Sequence, residues 1–348
     1  MSLLKIPDVV MNCIMRKLDF ESIQNLRKVC RTFRNFLDEN KIDNNLVGII
    51  VGFYQTKIKL ILRTEVKYLN FWYQKEENGC LVVKEKRMDP PDKVHLEEET
   101  DFVDIFLREF KTLMDHQKSV LEEIYVGFHE QFGVSELTTD AQRMSNGIES
   151  ILKSRKHFLR VERMYLLMIS QENVLKILPY LDPEYLERID LNHSQEYPKR
   201  LFAIDKLVVL EQWKRAMGLG IWRCLISESI QNLTHFIKAE FVQNECSMEM
   251  LWNLKENLSK SNWFNMFRIY FENYQTADEQ IIFSIFGQPY VDKDQWRLPR
   301  KRCFSKIPGS DQVISLKMVN LGRVNGVWIY RLPIAFVPKK VLKKHMLK

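Results

Sequence analysis

A short apolar motif recurs from residue 121 onward and constrains the fold more than any other feature of the chain. Each copy has apolar residues at its first, fourth and sixth positions, a pattern that suits one buried strand. The six copies begin at Leu121, Val161, Leu186, Leu219, Phe236 and Phe264. Helix-like segments separate most of the copies, namely Asn173–Leu178, Asp205–Met217 and Met248–Leu258. A repeated strand and helix is the layout of a leucine-rich repeat, whose strands line a concave face.

We therefore predict an α/β chain, with a small three-helix N-terminal domain followed by a leucine-rich-repeat-like β/α solenoid that carries β-hairpin additions at both ends. Because the copies are irregularly spaced, an unrelated mixed α/β domain is the alternative. The predicted divisions are the three-helix domain at 1–42, a β-meander, linker and helix at 43–120, the repeat domain at 121–290, and a β-rich cap with a basic tail at 291–348.

The hairpin additions are predicted from a change of period. Residues 46–86 follow a two-residue apolar period, which is typical of strands. Within this segment Asn78-Gly79 predicts a hairpin turn, and the proline-containing segment Met88–Lys93 predicts a linker. Near the other end, Asn325-Gly326 predicts a second hairpin, between strands at Val313–Met318 and Val327–Leu332.

The composition is that of a folded protein from a reducing compartment. Of the 348 residues, 45% are hydrophobic and 11% are aromatic, which is enough to build a core. The six cysteines include no C-x-x-C pair, so we expect free thiols and a cytoplasmic or nuclear location. No apolar run is long enough to cross a membrane, and residues 1–20 lack a signal-peptide cleavage site, so we expect no membrane contact.

The sequence carries no recognisable pattern of catalytic residues. It contains no G-x-S-x-G, P-loop or G-x-G-x-x-G motif. The seven histidines are scattered and form no H-x-x-x-H pair, and no cysteine and histidine are spaced as zinc ligands. We therefore predict a protein that is not an enzyme and that uses no cofactor or metal ion.

The first forty residues are patterned as three short amphipathic helices. Pro7 and Asp8 suit a first helical turn, because proline loses no hydrogen bond there and a carboxylate favours a helix N-terminus. Asp19 suits the N-cap of a second helix. The predicted apolar face of the first helix is Val10, Cys13, Ile14 and Leu18, and that of the third is Val29, Phe33, Phe36 and Leu37. So small a domain encloses a core poorly, so part of this apolar surface is predicted to bind a partner.

The order of residues from 3 to 38 resembles an F-box. The matching positions are Leu4, Ile6-Pro7, Val10, Ile14, Leu18-Asp19, Leu26-Arg27, Val29-Cys30 and Arg31-Thr32-Phe33. The stretch departs from the family at Phe33, where many members carry tryptophan, and at Met11, where leucine is common. In the family the F-box docks on a Skp-type adaptor and, through it, a cullin. The resemblance implies adaptor contacts from Leu4, Ile6, Pro7, Val10, Ile14 and Phe33.

Four later segments resemble the FTH domain of nematode F-box proteins, over about residues 148–290. They are Ser150–Lys156, Ile177–Leu186, Leu210–Lys214 and Phe286–Tyr290. Together the two resemblances identify the chain as a member of the nematode F-box A group. The group implies a domain that binds a partner, and it supplies no catalytic residue.

This resemblance implies a substrate receptor of a cullin-based (SCF-type) ubiquitin ligase, which holds an unknown protein target. If the solenoid is correct, the residues between the apolar positions lie on its concave face. The predicted target-binding residues are then Tyr125, Tyr165, Asp190, Arg223, Glu240 and Arg268. Their mixed charges favour a protein target over nucleic acid. The alternatives are a scaffold that binds through its F-box without directing ubiquitin transfer, and a nucleic-acid-binding protein that uses its basic C-terminus.

The charge of the chain is unevenly placed. The net charge is +7, and Trp296–Lys348 holds thirteen Lys or Arg against one acid, Asp311. Such a segment suits a nuclear signal, a nucleic-acid contact, a contact with an acidic partner, or a solvated tail.

Overall fold

The computed structural model describes residues 6–85, 93–129, 137–168, 170–193, 200–226, 229–293, 299–320 and 325–342. The chain forms two compact units, Met1–Glu187 and Arg188–Lys348. Three features predicted from the sequence fall outside the described residues. They are the adaptor contact Leu4, most of the linker Met88–Lys93, and the end of the basic tail at 343–348.

The first unit begins with three helices, as the sequence predicted. They are α1 (Asp8–Met15), α2 (Phe20–Val29) and α3 (Arg31–Asn40). Asp19 caps α2, because its carboxylate accepts a hydrogen bond from the Ser22 backbone N–H at 2.8 Å. Cys30, in an extended conformation, separates α2 from α3. The buried core of this three-helix cluster is Met11, Met15, Ile23, Phe33, Leu37 and Ile42.

The buried side of α1 differs from the predicted one. Met11 and Met15 are buried, whereas Val10 is 47% exposed and Cys13 is also exposed. Both sides of this helix carry apolar residues, so periodicity alone does not decide which side packs inward. The long, flexible methionine side chains fill the space inside the cluster, which leaves the predicted face outside.

The sheet of the first unit combines an antiparallel meander with parallel strands. Its described strands are β1 (Gly48–Tyr54), β2 (Lys57–Arg63), β3 (Tyr68–Glu76), β4 (Gly79–Glu85), β5 (Lys93–Glu98), β6 (Leu121–His129) and β7 (Val161–Met168). Strands β1 to β5 form the meander. Strand β6 pairs with β1, and β7 with β6, in parallel. The predicted Asn78-Gly79 hairpin is confirmed, but β5 was not predicted, since its acidic residues are unusual in a strand.

Helix α4 (Phe102–His116) covers one face of this sheet. The ring of Phe102 lies 6.3 Å from that of Phe53 in β1. The ring of Phe106 lies 5.6 Å from that of Tyr73 in β3. Helix α5 (Thr139–Lys153) packs beside α4, and α6 (Gln171–Leu175) follows β7. Because side chains alternate along a strand, the residues next to Phe53 and Tyr73 point to the opposite face of the sheet.

In the second unit, parallel strands pair in the order of the chain. They are β8 (Arg188–His193), β10 (Gly218–Ile226), β11 (Lys238–Glu245) and β12 (Met266–Asn273), with β9 (Arg200–Phe202) beside the end of β10. The described helices of this unit are α7 (Glu211–Arg215), α8 (Met248–Lys260), α9 (Thr276–Phe286) and α10 (Lys339–Val341). The antiparallel strands β13 (Tyr290–Lys293), β14 (Pro299–Lys306), β15 (Gln312–Asn320) and β16 (Asn325–Pro333) extend the sheet, with β16 against β12.

The apolar motif is aligned between paired strands within each unit. The copies that begin at Leu121 and Val161 align position by position in β6 and β7. The copies at Phe236 and Phe264 align in the same way in β11 and β12. Strand β1 carries a further copy that sequence reasoning missed, which begins at Leu46 and aligns with the copy at Leu121. The motif therefore marks equivalent places in successive parallel strands.

One predicted copy has the wrong register. In β10, Leu219 lies opposite Ile189 of β8 and Ala239 of β11, and both of these hold the second apolar position of their copies. The copy in β10 therefore begins at Ala216 and not at Leu219. A bulge follows in β10, where Arg223 has a positive φ of 63°. Because of the bulge, the buried residue after Ile221 is Cys224 and not residue 223. Leu219 and Cys224 therefore have the spacing of the first and last apolar positions of the motif.

Two further predictions are corrected. The segment Asp205–Met217 is not one helix: turns occupy residues 205–209, and only α7 is helical within it. The hairpin of β15 and β16 is confirmed, but Asn325-Gly326 lies inside β16 and not at its turn. A Cβ atom at Gly326 would lie 2.5 Å from the Ile269 carbonyl oxygen, so glycine is needed there for close strand packing. The fold is mixed α/β with a helical N-terminal region, and the leucine-rich-repeat-like solenoid stays a prediction.

Candidate functional site

The three-helix cluster leaves apolar side chains of α1 in solvent. Val9 and Val10 are exposed, as is Pro7 just before the helix. Ile14 is half-buried, and Ile6 packs partly against the core of the cluster. Apolar side chains displayed along a helix suit docking into a hydrophobic groove of a partner. Four of the predicted adaptor contacts, Ile6, Pro7, Val10 and Ile14, therefore retain accessible surface.

Phe33 differs from the other predicted adaptor contacts. Its side chain is only 6% exposed, inside the core of the three-helix cluster. In this arrangement its contribution is to hold the three helices together. A direct contact between Phe33 and an adaptor stays a prediction, and the cluster leaves the Phe33 side chain little accessible surface.

Ion pairs fasten the helical cluster to the sheet of the first unit. The Glu21 carboxylate in α2 accepts hydrogen bonds from Lys84 of β4, at 2.6 Å, and from Lys67 in the turn before β3. The bond from Lys67, followed by that from Lys84, lowers the pKa of Glu21. A carboxylate that is held by two ammonium groups stays ionised, so this connection persists at neutral pH.

Tyr125 and Tyr165 are brought together by the pairing of β6 with β7. They lie opposite each other in the register, and both are half-buried. The Tyr125 hydroxyl lies 3.2 Å from Nε2 of His129. Burial raises the pKa of Tyr125 to about 12, so its phenol is neutral at physiological pH. These two predicted target contacts share one face of the sheet.

Asp190 does not face solvent. Its side chain is 1% exposed, and its carboxylate accepts a hydrogen bond from the Arg188 guanidinium at 2.7 Å. A carboxylate so placed supports the structure of the second unit, and in this arrangement a target does not reach it. Arg223, by contrast, is exposed at the bulge in β10.

Glu240 and Arg268 form an ion pair between β11 and β12. The Arg268 guanidinium lies 3.2 Å from the Glu240 carboxylate and 4.7 Å from the centre of the Trp328 ring. Glu240 also accepts a hydrogen bond from the Tyr270 hydroxyl at 3.0 Å. Burial and the nearby carboxylate raise the pKa of Tyr270 to about 12. The charges of these two predicted target contacts are therefore paired with each other.

Sequence reasoning missed a second group of outward residues in the first unit, Tyr54, Lys57, Lys59, Trp72 and His129. A signal was present, because Lys57 and Lys59 alternate with the buried residues of β2. The parallel pairing of β1 with β6 was the missing information, since it brings His129 to Tyr54 across a long stretch of sequence.

The buried thiols have little nucleophilic character. Burial raises the pKa of Cys224, Cys246 and Cys303 to about 12 in each case, so they remain protonated. Across the described ranges, no three His, Cys, Asp or Glu side chains are grouped as metal ligands. No helix in the described part of the chain has the length and hydropathy needed to span a bilayer.

Comparison with known proteins finds two domains in the chain. The F-box domain matches residues 3–45, and the FTH domain matches residues 142–289. F-box A protein 224 of Caenorhabditis elegans is 26% identical over 285 residues, which cover 81% of this chain and 66% of that protein. F-box A protein 155 of the same organism is 20% identical over 197 residues, which cover 57% of this chain and 44% of that protein.

The chain thus spans less than two thirds of the length of either relative. No solved structure matches it significantly. The three-helix cluster with its exposed apolar residues, which coincides with the F-box match, defines an F-box protein. The chain carries an F-box followed by an FTH domain, and it is similar to these two F-box A proteins. The family resemblance read from the sequence is confirmed.

Proposed function

We propose that this protein is a substrate-receptor subunit of a cullin-based (SCF-type) ubiquitin ligase, acting in the cytoplasm, the nucleus or both. Its F-box docks on a Skp-type adaptor and thereby joins a cullin, while the remainder of the chain holds a protein target. The protein carries out no bond chemistry itself. It raises the effective concentration of the target beside the ubiquitin-loaded enzyme.

The exposed apolar side of α1 is the observation that carries this proposal. Val9 and Val10 point into solvent while Met11 and Met15 close the core from the other side of the same helix. A helix that is apolar on both sides buries only one of them in its own domain, and the exposed apolar side is suited to binding a partner protein. The F-box match over the same residues supports a Skp-type adaptor as that partner.

The parallel strands support the target-holding half of the proposal. Their apolar motifs align within each unit, as expected for a leucine-rich-repeat-like solenoid with hairpin additions. In such a solenoid the outward strand residues form the binding face. The proposed target contacts are Tyr125 and Tyr165 in the first unit, and Arg223, Glu240 and Arg268 in the second unit. The buried Asp190 stabilises the second unit.

Co-purification with a Skp-type adaptor tests the proposal. The intact chain should retain the adaptor. The Val10→Asp variant and the Ile6→Ala/Pro7→Ala double variant should lose it, because each removes apolar surface at the start of α1. Val66→Asp is the matched control, since Val66 is 90% exposed in the turn between β2 and β3. All variants should keep the circular dichroism spectrum of the intact chain.

Two results would oppose the proposal. One is failure of the folded, intact chain to retain any Skp-type adaptor. The other is equal retention by the Val10→Asp variant, the double variant and the Val66→Asp control, which would place adaptor binding elsewhere on the chain.

A further inference from the structure

One face of the sheet in the first unit displays a group of aromatic and cationic residues, which we call the Trp72 face: Tyr54, Lys57, Lys59, Trp72, Tyr125 and His129. Their direction follows from their neighbours. Phe53 and Tyr73 point at rings of α4, and Phe128 packs on Phe53. Because strand side chains alternate, Tyr54, Trp72 and His129 point to the other face of the sheet.

Two lysines share the ring of Trp72. The Lys57 and Lys59 ammonium nitrogens lie 4.5 Å and 4.7 Å from the ring centre. Neither lysine forms an ion pair with an acidic side chain in the described part of the chain. Each ammonium group is attracted by the ring, but the two like charges repel each other. An anion bound to both ammonium groups would relieve that repulsion.

The aromatic surface continues from Trp72 across three strands. The ring of Tyr54 lies 5.8 Å from that of Trp72 and stacks on that of His129 at 4.7 Å with an angle of 7°. His129 in turn contacts Tyr125. A Cβ atom at Gly127 would lie 2.5 Å from the Tyr125 hydroxyl oxygen. The absence of a side chain at Gly127 therefore leaves room for the Tyr125 ring to pack against the backbone there.

We propose that the Trp72 face binds an acidic segment of a protein target, with carboxylates at Lys57 and Lys59 and apolar side chains on the rings of Tyr54 and Tyr125. This inference rests on the proposed function only in calling the ligand a target. Charge complementarity selects an acidic ligand, and the aromatic rings beside the lysines select one that also carries apolar side chains.

The same face is poorly suited to nucleic acid. Glu85 accepts a hydrogen bond from the Trp72 indole N–H at 3.2 Å. Glu123 pairs with Arg63 at 2.7 Å beside β1. A phosphate backbone carries a charge at every nucleotide and would therefore meet these carboxylates as well as the lysines. A peptide can place its carboxylates at the two lysines and apolar residues elsewhere on the face.

Fluorescence anisotropy of a labelled random copolymer of glutamate and tyrosine tests the proposal on the full chain without any adaptor. The Lys57→Glu/Lys59→Glu variant should bind roughly tenfold more weakly, because two attractive contacts become repulsive. Trp72→Ala should also weaken binding. The matched control is Lys339→Glu/Lys340→Glu, which changes the net charge equally at exposed positions of α10. Lys57→Gln/Lys59→Gln repeats the test should the glutamate variant misfold.

Selective weakening by the Lys57 and Lys59 variants supports the proposal. Equal weakening by the control shows non-specific charge attraction and overturns the proposal, as does unchanged binding by the folded Lys57/Lys59 variants. The result is separable from adaptor docking. Copolymer binding without adaptor retention would refute the proposed ligase role alone, and adaptor retention without selective copolymer binding would refute this surface alone.

Discussion

The guanidinium of Arg27 in α2 donates a hydrogen bond to the imidazole of His116 at the end of α4, with 3.3 Å between Nη1 and Nε2. The other ring nitrogen, Nδ1, lies 3.1 Å from the Ile42 carbonyl oxygen. A carbonyl oxygen can only accept a hydrogen bond, so Nδ1 carries the proton and Nε2 is the acceptor. A neutral imidazole thus joins the F-box to the domain that follows it.

This contact predicts an acid-sensitive connection. Burial lowers the pKa of His116 from its ordinary value of 6.5, so folding favours the neutral ring. The unfolded chain takes up the proton first as the pH falls. The free energy of unfolding should therefore be fully retained above pH 6.5 and should decrease as the pH falls below it. Urea unfolding at about pH 7.5 and about pH 5.5 measures the change.

Burial also lowers the pKa of His129 and His235. Both histidines should therefore also decrease the free energy of unfolding as the pH falls. His116→Gln separates the contribution of His116 from theirs, because glutamine does not titrate. The variant should show a smaller decrease between the two pH values. An unchanged decrease would mean that His116 does not contribute to the pH dependence.

Phe33→Ala should destabilise the F-box itself. Truncating a buried phenylalanine costs about 3–5 kcal/mol, and Phe33 lies in the core of the three-helix cluster. Val10→Ala, at an exposed position of α1, should change stability by less than about 0.5 kcal/mol. Urea unfolding compares the two. If Phe33→Ala keeps full stability but abolishes adaptor capture, Phe33 acts as a contact residue and not as core.

Asp190→Ala should reduce stability more than it reduces target binding. Its carboxylate is buried and hydrogen-bonded to Arg188, and a bond to a charged group contributes about 1.5–3 kcal/mol. Arg223→Ala, at an exposed position of the same unit, serves as the comparison. Thermal unfolding and target pull-down are measured on both variants. Asp190→Ala with unchanged stability and lost target binding would show that Asp190 contacts the target.

Trp213→Ala should lower the free energy of unfolding far more than the substitution of an exposed tryptophan by alanine. Trp213 is fully buried and packs edge-on against Phe236 with ring centres 5.4 Å apart. Removing it should lower the free energy of unfolding by about 3–5 kcal/mol. Trp263 is 76% exposed, so Trp263→Ala should have little effect in the same urea unfolding measurement. Similar losses for both variants would contradict the assignment of Trp213 to the core.

The repeated motif and the Asn78-Gly79 turn were readable from the sequence because both depend on local spacing. Alternating or recurring apolar residues report which positions are buried, whatever the distant partners are. The same reasoning failed at Leu219, where a bulge at Arg223 changes the alternation. A bulge depends on how the strand pairs with its neighbours, so the local sequence does not predict it.

The Trp72 face was hidden for a different reason. Tyr54 and His129 stack only because β1 and β6 pair in parallel, and parallel pairing joins segments that are far apart in the chain. The buried side of α1 was likewise undetermined, since Val10 and Met11 are both apolar and only packing distinguishes them. Long-range pairing and a choice between two apolar faces are tertiary properties.

Gly127 and Tyr125 have an evolutionary consequence. Because a methyl group at 127 would collide with the hydroxyl of the ring at 125, neither position can vary independently while the ring lies flat. Descendants of this sequence that acquire alanine at 127 should also acquire a smaller residue at 125, and those that keep the tyrosine should keep the glycine. Substitutions at positions 125 and 127 should therefore be correlated among related sequences.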